Sequence, residues 1–367
     1  GDDDTAAEDD LDISADITIE GNGSTVQRDV DFFCSRDDTN NVGEFRIFDV
    51  LNSSARLTIK NLTIEDGCAD GQWGGNIYNY GTLIIENSLV YGGFASRDGS
   101  SILNNGGTVN ITNSEVSGSE NLYDSGYYGA IYNYGGTVTI ESSTISDHYI
   151  CGDGGGIYND YNGTITINNS TIYDNYADGY GGGIYNYSGT VSINNSTISS
   201  NEASNGDGGG IYNDYDATMT ITNSTIYDNY AYDDGGGIYN DGTLTITNCT
   251  IDNNVADYGG GIYNDGTLTI TNSTISNNAY ADEGGGIYND SGQLTITNST
   301  ISGNSSYYYG GGIANYGTLN ASFVTIANNT ASNQGGGIYN YNSSTFNIKN
   351  SIVAGNTVGG SPQNCYI

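Results

Sequence analysis

Four kinds of side chain in this sequence could support chemistry, and three of them recur at regular spacings. Acid–base work is the first to test, and its materials are few: one histidine, His148, and 7 Lys and Arg against 43 Asp and Glu, for a net charge of -36. General acid–base or nucleophilic catalysis needs a base held against a second group. His148 instead stands where neighbouring repeats carry Asn, which predicts a hydrogen-bonded stacking role. Arg28, Arg36, Arg46, Arg56 and Lys60 cluster near the amino end among acidic residues, Arg97 stands alone, and no Lys or Arg occurs from Asp98 to Ile348. The expectation is a protein without catalytic residues. Nucleic acid is excluded as a partner, because phosphate binding needs clustered cations. No long apolar run is present, so membrane insertion is not expected.

Carboxylates form the second series. Asp153, Asp178, Asp207, Asp233, Asp234, Asp257, Asp282 and Glu283 precede successive glycine triplets. Acids repeated at a fixed spacing repel unless bridged, and Ca²⁺ is the usual bridge. Weak Ca²⁺ positions at Asp178, Asp207, Asp233, Asp257 and Asp282 are the candidate, against the simpler reading of solvated charge; no other cofactor is expected. Tyrosines form the third series. Tyr78, Tyr132, Tyr158, Tyr185, Tyr212, Tyr239, Tyr263, Tyr288 and Tyr339 occupy one position of the repeat, broken by Leu103 and Ala314, and Tyr80, Tyr134, Tyr187, Tyr316 and Tyr341 adjoin it. Threonines at Thr137/Thr139, Thr164/Thr166, Thr218/Thr220, Thr243/Thr245 and Thr267/Thr269 form the fourth.

What positions all four is the repeat itself. GGGIYNDGTLTITNSTISNN, in close variants, recurs about eleven times at intervals of about 24 to 29 residues, which is the mark of a solenoid. With 56 Gly, one Pro and period-two alternation, the repeat body reads as strand. In the copy at Gly235 to Asn254, Ile238 and Asn240 share one parity and Tyr239 the other. Asp241-Gly242 is a turn. Leu244 and Ile246 then face inward between outward Thr residues, a corner follows at Asn248, and Ile251 points in again. Three short strands per coil make a parallel β-helix of about thirteen coils. The chain divides into an acidic leader with the first coils, 1–73, and the regular β-helix, 74–367.

Stacking turns positions into columns. Asn79, Asn104, Asn133, Asn159, Asn186, Asn213, Asn240, Asn264, Asn289, Asn315 and Asn340 are expected inside, each amide donating to one coil and accepting from the other. A second inward column is expected at the corner (Asn61, Asn87, Asn113, Asn169, Asn195, Asn223, Asn248, Asn272, Asn298 and Asn350), and a third at Asn175, Asn201, Asn229, Asn254, Asn278, Asn304, Asn329 and Asn356. On that reading most corner Asn-X-Ser/Thr sequons are closed to sugar. Asn22, Asn52, Asn162 and Asn342, off the ladder, are the glycosylation candidates. Among five Cys, Cys34 with Cys68 is the expected disulfide. Cys151 and Cys249 lie too many coils apart to pair.

The step Gly154-Gly155-Gly156-Ile157, its variant Gly129-Ala130-Ile131, and the Ile251-to-Asn254 step resemble the repeats of bacterial right-handed parallel β-helix surface proteins. Similar two-part repeats occur in polymorphic outer-membrane proteins and autotransporter passengers. Residues 4–23, DTAAEDDLDISADITIEGNG, resemble the first coil of such proteins. The resemblance implies an all-β, right-handed parallel β-helix; for activity it leaves adhesins, lyases, ice binders and filaments open. Pectate lyases and polygalacturonases of this fold are similar to one another in setting clustered Asp beside a basic residue, and here that base is missing. The paired Thr rows resemble the ice-facing sheet of β-helical antifreeze proteins, but Ile84, Asn110, Ser192, Gln293 and Asn320 break them. Taken with coil ends that read as uncapped, the expectation is an extracellular, cell-surface structural protein. It would be a fibre subunit or adhesin-like stalk whose partner is itself, stacked head to tail. The alternative is a glycan-binding or polysaccharide-cleaving β-helix using the Tyr face, with ice binding a minor third.

Overall fold

Alternation along each strand and glycine at each coil entrance together decide how the chain winds. The computed structural model describes residues 11–28, 45–69, 72–121, 129–279 and 281–367, and every regular element among them is a β-strand. They fall into two compact units: Gly1–Asp178 with Ser188–Val191, and Gly179–Tyr187 with Ser192–Ile367. Each is a parallel β-solenoid with about three strands per coil, and the two carry about twelve turns between them.

In the first unit the leading strands pair in parallel in the order Leu11–Ile13, Phe48–Val50, Ile77–Asn79, Ile102–Asn105, Ile131–Tyr134 and Ile157–Asp160. In the second unit Ile184–Asn186, Ile211–Asn213, Ile238–Asn240, Ile262–Asn264, Ile287–Asn289, Ile313–Asn315 and Ile338–Asn340 do the same, followed by Cys365–Tyr366. Register is residue for residue: Ile238 faces Ile262, Leu244 faces Leu268, and Ile251 faces Ile275. Identical side chains therefore lie one strand spacing apart, about 4.8 Å. The inward Ile, Leu and Val are almost fully buried from the coil of Leu57 and Ile59 to that of Leu319 and Ile326, while Ile19, Ile348 and Val353 in the first and last coils are half-buried.

The glycine triplet turns the chain into the next coil. Gly235 has φ 67°, and a Cβ there would lie 2.6 Å from the Ile238 carbonyl oxygen. At Gly237 a Cβ would lie 2.6 Å from the Gly261 carbonyl oxygen, so backbone occupies the space a side chain would need.

At the corner the structure corrects the expected second Asn column. Asn61, Asn87, Asn113, Asn169, Asn195, Asn223, Asn248, Asn272, Asn298 and Asn350 are all exposed, with φ between 47° and 56°. Asn is favoured there because it tolerates the left-handed conformation a tight corner requires, not because its amide is needed inside. The next residue does the inward work. Ser88 N–H donates to Ser114 Oγ at 3.0 Å, and Ser114 and Ser143 continue the step to Ser143 and Ser170 at 3.1 Å each. In the second unit the links run from Ser196 to Ser224, Cys249 to Ser273 and Ser273 to Ser299, each at 3.1 Å.

Candidate functional site

Two internal amide ladders hold the coils. In the first unit Asn79 Nδ2 donates to Asn104 Oδ1 at 2.7 Å, and Asn104 and Asn133 continue to Asn133 and Asn159 at 2.8 Å. In the second, the links from Asn186 through Asn213, Asn240, Asn264, Asn289 and Asn315 to Asn340 are 2.7 to 3.0 Å. These amides are fully or nearly fully buried, as expected. The third column does more per residue. Asn254 Oδ1 accepts from both Asn229 N–H and Nδ2, while its own Nδ2 donates to the Ile226 carbonyl at 3.1 Å and to Asn278 Oδ1 at 3.0 Å.

His148 occupies the same column and reproduces two of these bonds. Its Nδ1 accepts from Ser119 N–H at 3.1 Å, and Nε2–H donates to the Val116 carbonyl at 3.0 Å. Val116 and Ser119 stand to His148 as Ile226 and Asn229 stand to Asn254. Burial pushes the imidazole pKa down to about 3, so it is a neutral staple rather than a proton carrier.

The Tyr column lies on the outer face of its sheet, but it is not the exposed stripe that parity suggested. Tyr132, Tyr158, Tyr185 and Tyr339 are buried, and Tyr78, Tyr212, Tyr239, Tyr263 and Tyr288 half-buried. The rings cover one another. Tyr212 and Tyr239 stack at 4.5 Å, Tyr239 and Tyr263 at 4.8 Å, and Tyr263 and Tyr288 at 5.2 Å, with interplanar angles of 5°, 5° and 19°. Loop and turn tyrosines add a second layer: Tyr180 against Tyr212, Tyr258 and Tyr316 against Tyr288, and Tyr309 against Tyr339. Parity along a strand says which side a ring takes; only the fold of the inter-coil loops says what lies over it. Burial, and then nearby Asp or Tyr charges, raise the Tyr212, Tyr239 and Tyr263 hydroxyl pKa values well above 10 and keep these groups protonated.

The break at Leu103 behaves differently from the break at Ala314. Near Ala314, Tyr316 packs against both Tyr288 and Tyr339. Leu103, in register between Tyr78 and Tyr132, is buried, as is Tyr132, and a cavity of about 400 Å³ on this face is lined by Trp73, Tyr78, Tyr80, Asp98, Leu103, Asn105, Tyr132 and Tyr134. Sequence reasoning noted the break but missed Trp73, Asp98 and Asn105; the available signal was the chain's one Trp close to the one Leu of the Tyr column.

The acidic column does not assemble the expected calcium positions. Among the described residues no group of three or more His, Cys, Asp or Glu side chains converges as a metal site. In the second unit Asp257 N–H donates to the Asp233 carbonyl at 2.7 Å and Asp282 N–H to the Asp257 carbonyl at 2.6 Å, so backbone bonds link these loops. Asp234 N–H donates to Asp207 Oδ1 at 3.0 Å. Burial, then the charges of Asp207, Asp233, Asp257 and Asp290, push Asp234 up to about 8; burial also pushes Asp207 up to about 6. Asp178 belongs to the first unit, where its N–H donates to the Ile150 carbonyl at 2.9 Å.

The remaining candidates sit as follows. Asn22 is exposed with φ 49°, which makes it the corner residue of an early coil rather than a position off the column; Asn162 and Asn342 are exposed, and Asn52 is half-exposed in a turn, accepting from Ser54 N–H at 3.1 Å. The corner sequons at Asn169, Asn195, Asn223, Asn272 and Asn298 are equally exposed, contrary to expectation. Cys68 is disulfide-bonded, and its expected partner Cys34 lies outside the described residues. Cys249 and Cys365 are free thiols, Cys249 standing in for a ladder serine. The outward Thr pairs lie in register, Thr243 with Thr267 and Thr245 with Thr269.

A family model described as the right-handed beta helix region matches residues 47–218, 157–323 and 209–364. The chain belongs to that family, which accords with its in-register coils and internal ladders. Comparison with curated proteins and with solved structures returns no match.

Proposed function

We propose that this chain is an extracellular structural β-helix, a stalk or fibre segment of a surface assembly, and that it acts through its coil stack and not as an enzyme. One observation carries the reading. Three repeated polar positions hydrogen-bond from coil to coil, as two Asn ladders and a Ser ladder, and Tyr rings stack beside them, all in register. Near-identical coils that pair this way within a chain present edges that can pair the same way between chains. Such head-to-tail contacts propagate without closing. The acidic surface favours solubility between such chains.

Electron microscopy and sedimentation of the purified protein across a concentration series test this. Fibres or end-to-end oligomers are expected, and a monodisperse monomer at high concentration would remove the self-stacking partner. Turnover of any glycan in a panel of neutral and acidic polysaccharides would remove the non-enzymatic part. Glycan binding without turnover is compatible with a stalk.

A further inference from the structure

We propose that a second copy of this chain docks on the last coil with its Glu20 against Lys349, and that residues 361–367 form a strap which the copy displaces; the inference rests on the self-stacking reading above and adds its register and its control. Among the described residues, Thr345–Lys349 pairs only with Thr318–Ser322, and Asp16–Gln27 only with Arg56–Glu65. Each therefore keeps one open edge, the last coil on the side of later coils and the first coil on the side of earlier ones. The apolar side chains register this. Leu319 and Ile326 are fully buried, whereas Phe346, Ile348 and Val353 one coil later are half-buried and Ile352 is 61 % exposed. In the first coil Ile17 is exposed and Ile19 half-buried, while Leu57 and Ile59 beside them are fully buried. A copy that continues the coil order sets Ile17 on Phe346 and Ile19 on Ile348, covering both pairs.

Charge selects the occupant and fixes its register. Lys349 is exposed and is the only Lys or Arg after Arg97. It ends its five-residue strand, the position that Glu20, Lys60 and Glu86 hold in successive coils of the first unit. There Lys60 Nζ lies 2.7 Å from Glu86 Oε2. Docked in register, Lys349 meets the exposed Glu20 and extends that column as Lys, Glu, Lys, Glu; a shift of two residues sets it against Thr18 and loses the pair. The place beside the leading strand is already taken. Cys365–Tyr366 pairs with Ile338–Asn340, where the copy's Leu11–Ile13 would lie. Ile338 N–H donates to the Asn364 carbonyl at 3.0 Å, Asn356 N–H and Nδ2 both donate to Asn364 Oδ1 at 3.1 Å, and Tyr366 stacks on Tyr339 at 5.5 Å. The chain reaches this place from Asn356 in 8 residues, whereas Asn329 and Asn356 stand 27 apart. The strap thus supplies the leading strand of a further coil but nothing to pair with Thr345–Lys349. Leu11–Ile13 with Asp16–Glu20 supplies both, which is what lets a copy replace it.

Sedimentation of the whole protein across a concentration series gives the concentration of half-assembly, and urea unfolding checks that each variant folds. Lys349→Glu and Glu20→Lys should each raise that concentration about tenfold or more, and the double variant, which restores opposite charges, should assemble better than either single. Glu20→Gln covers the case in which Glu20→Lys, beside Lys60, does not fold, and should raise it in the same direction. Loosening the strap with Asn364→Ala and Tyr366→Ala together should lower it about tenfold. Cys365, half-buried in the strap, should react with a maleimide faster in assembled protein than in monomer, the labelled cysteine being identified by peptide mass mapping. Fibres that form at the same concentration in all variants overturn this contact and leave the stalk reading standing; absence of assembly in every variant removes both. A double variant worse than either single, or Cys365 as protected in fibres as in monomer, also overturns it. So does a lowered unfolding midpoint for monomeric Lys349→Glu, because the edge would then be covered by the chain's own residues.

Discussion

Replacing His148 by Asn puts the column argument under direct strain. The imidazole accepts one buried N–H from Ser119 and donates to one buried carbonyl at Val116, the two bonds that Asn254 makes to Asn229 and Ile226. At pH 7 His148→Asn should therefore cost about 1 kcal/mol or less, the volume lost being small and the bonds retained. His148→Leu, which leaves both groups unpaired in the core, should cost about 2–5 kcal/mol. Acid separates the two side chains further. The folded pKa is depressed to about 3 by burial, below the unfolded value of about 6.5. The folded state thus binds fewer protons than the unfolded state, and the stability tied to neutral His148 is present above the unfolded pKa. It is lost as pH falls toward the folded one. From pH 7 to 4.5 that loss amounts to about 2.5 kcal/mol, which His148→Asn should abolish. Urea unfolding of both proteins at a series of pH values isolates the effect, because the carboxylates are common to both. As the only histidine, His148 should also show imidazole proton resonances that do not titrate between pH 7 and 5. An ordinary midpoint near 6.5, or identical pH dependence in the two proteins, would refute the assignment of His148 to the column.

The serine ladder and the acidic column give two further expectations. Cys249 donates to the Thr247 carbonyl at 3.2 Å in a position that other coils fill with Ser; Cys249→Ser should leave stability unchanged or raise it by up to about 1 kcal/mol, measured by urea unfolding, whereas Cys249→Ala should lower it by about 1–3 kcal/mol. Asp234 has its pKa raised to about 8, so it stays protonated when folded but ionises when unfolded. Its contribution is complete below the ordinary carboxylate pKa and is lost as pH climbs through 8. Asp234→Asn should flatten that loss, on the order of 1–3 kcal/mol between pH 5 and 8 in thermal or urea unfolding, and an unchanged slope would count against the shift.

Much of this protein was legible in the chain because a solenoid makes sequence period and spatial neighbourhood the same thing. Ile238, Asn240, Leu244, Ile246 and Ile251 were placed inside by parity alone, and the ladder through Asn240 followed from its recurrence. Even His148 was readable as a substituted Asn, since the column supplied its place. Parity fails where the chain is not a strand. At the corner, Asn248 and Cys249 differ by one residue, and which of them points inward depends on a left-handed φ that the repeat does not spell out. The sequons changed from closed to exposed for that reason. The Tyr column's side was likewise fixed by alternation, but its burial was decided by loops packing back over the rings, as Tyr258 and Tyr309 do. The cavity beside Leu103 belongs to both levels. Its missing ring is written in the sequence, while the convergence of Trp73, Asp98 and Asn105 around it depends on how non-repeating segments of successive coils fold against one sheet. Local alternation and repeat spacing act through the chain itself; burial, corner geometry and convergence exist only once separate coils have met.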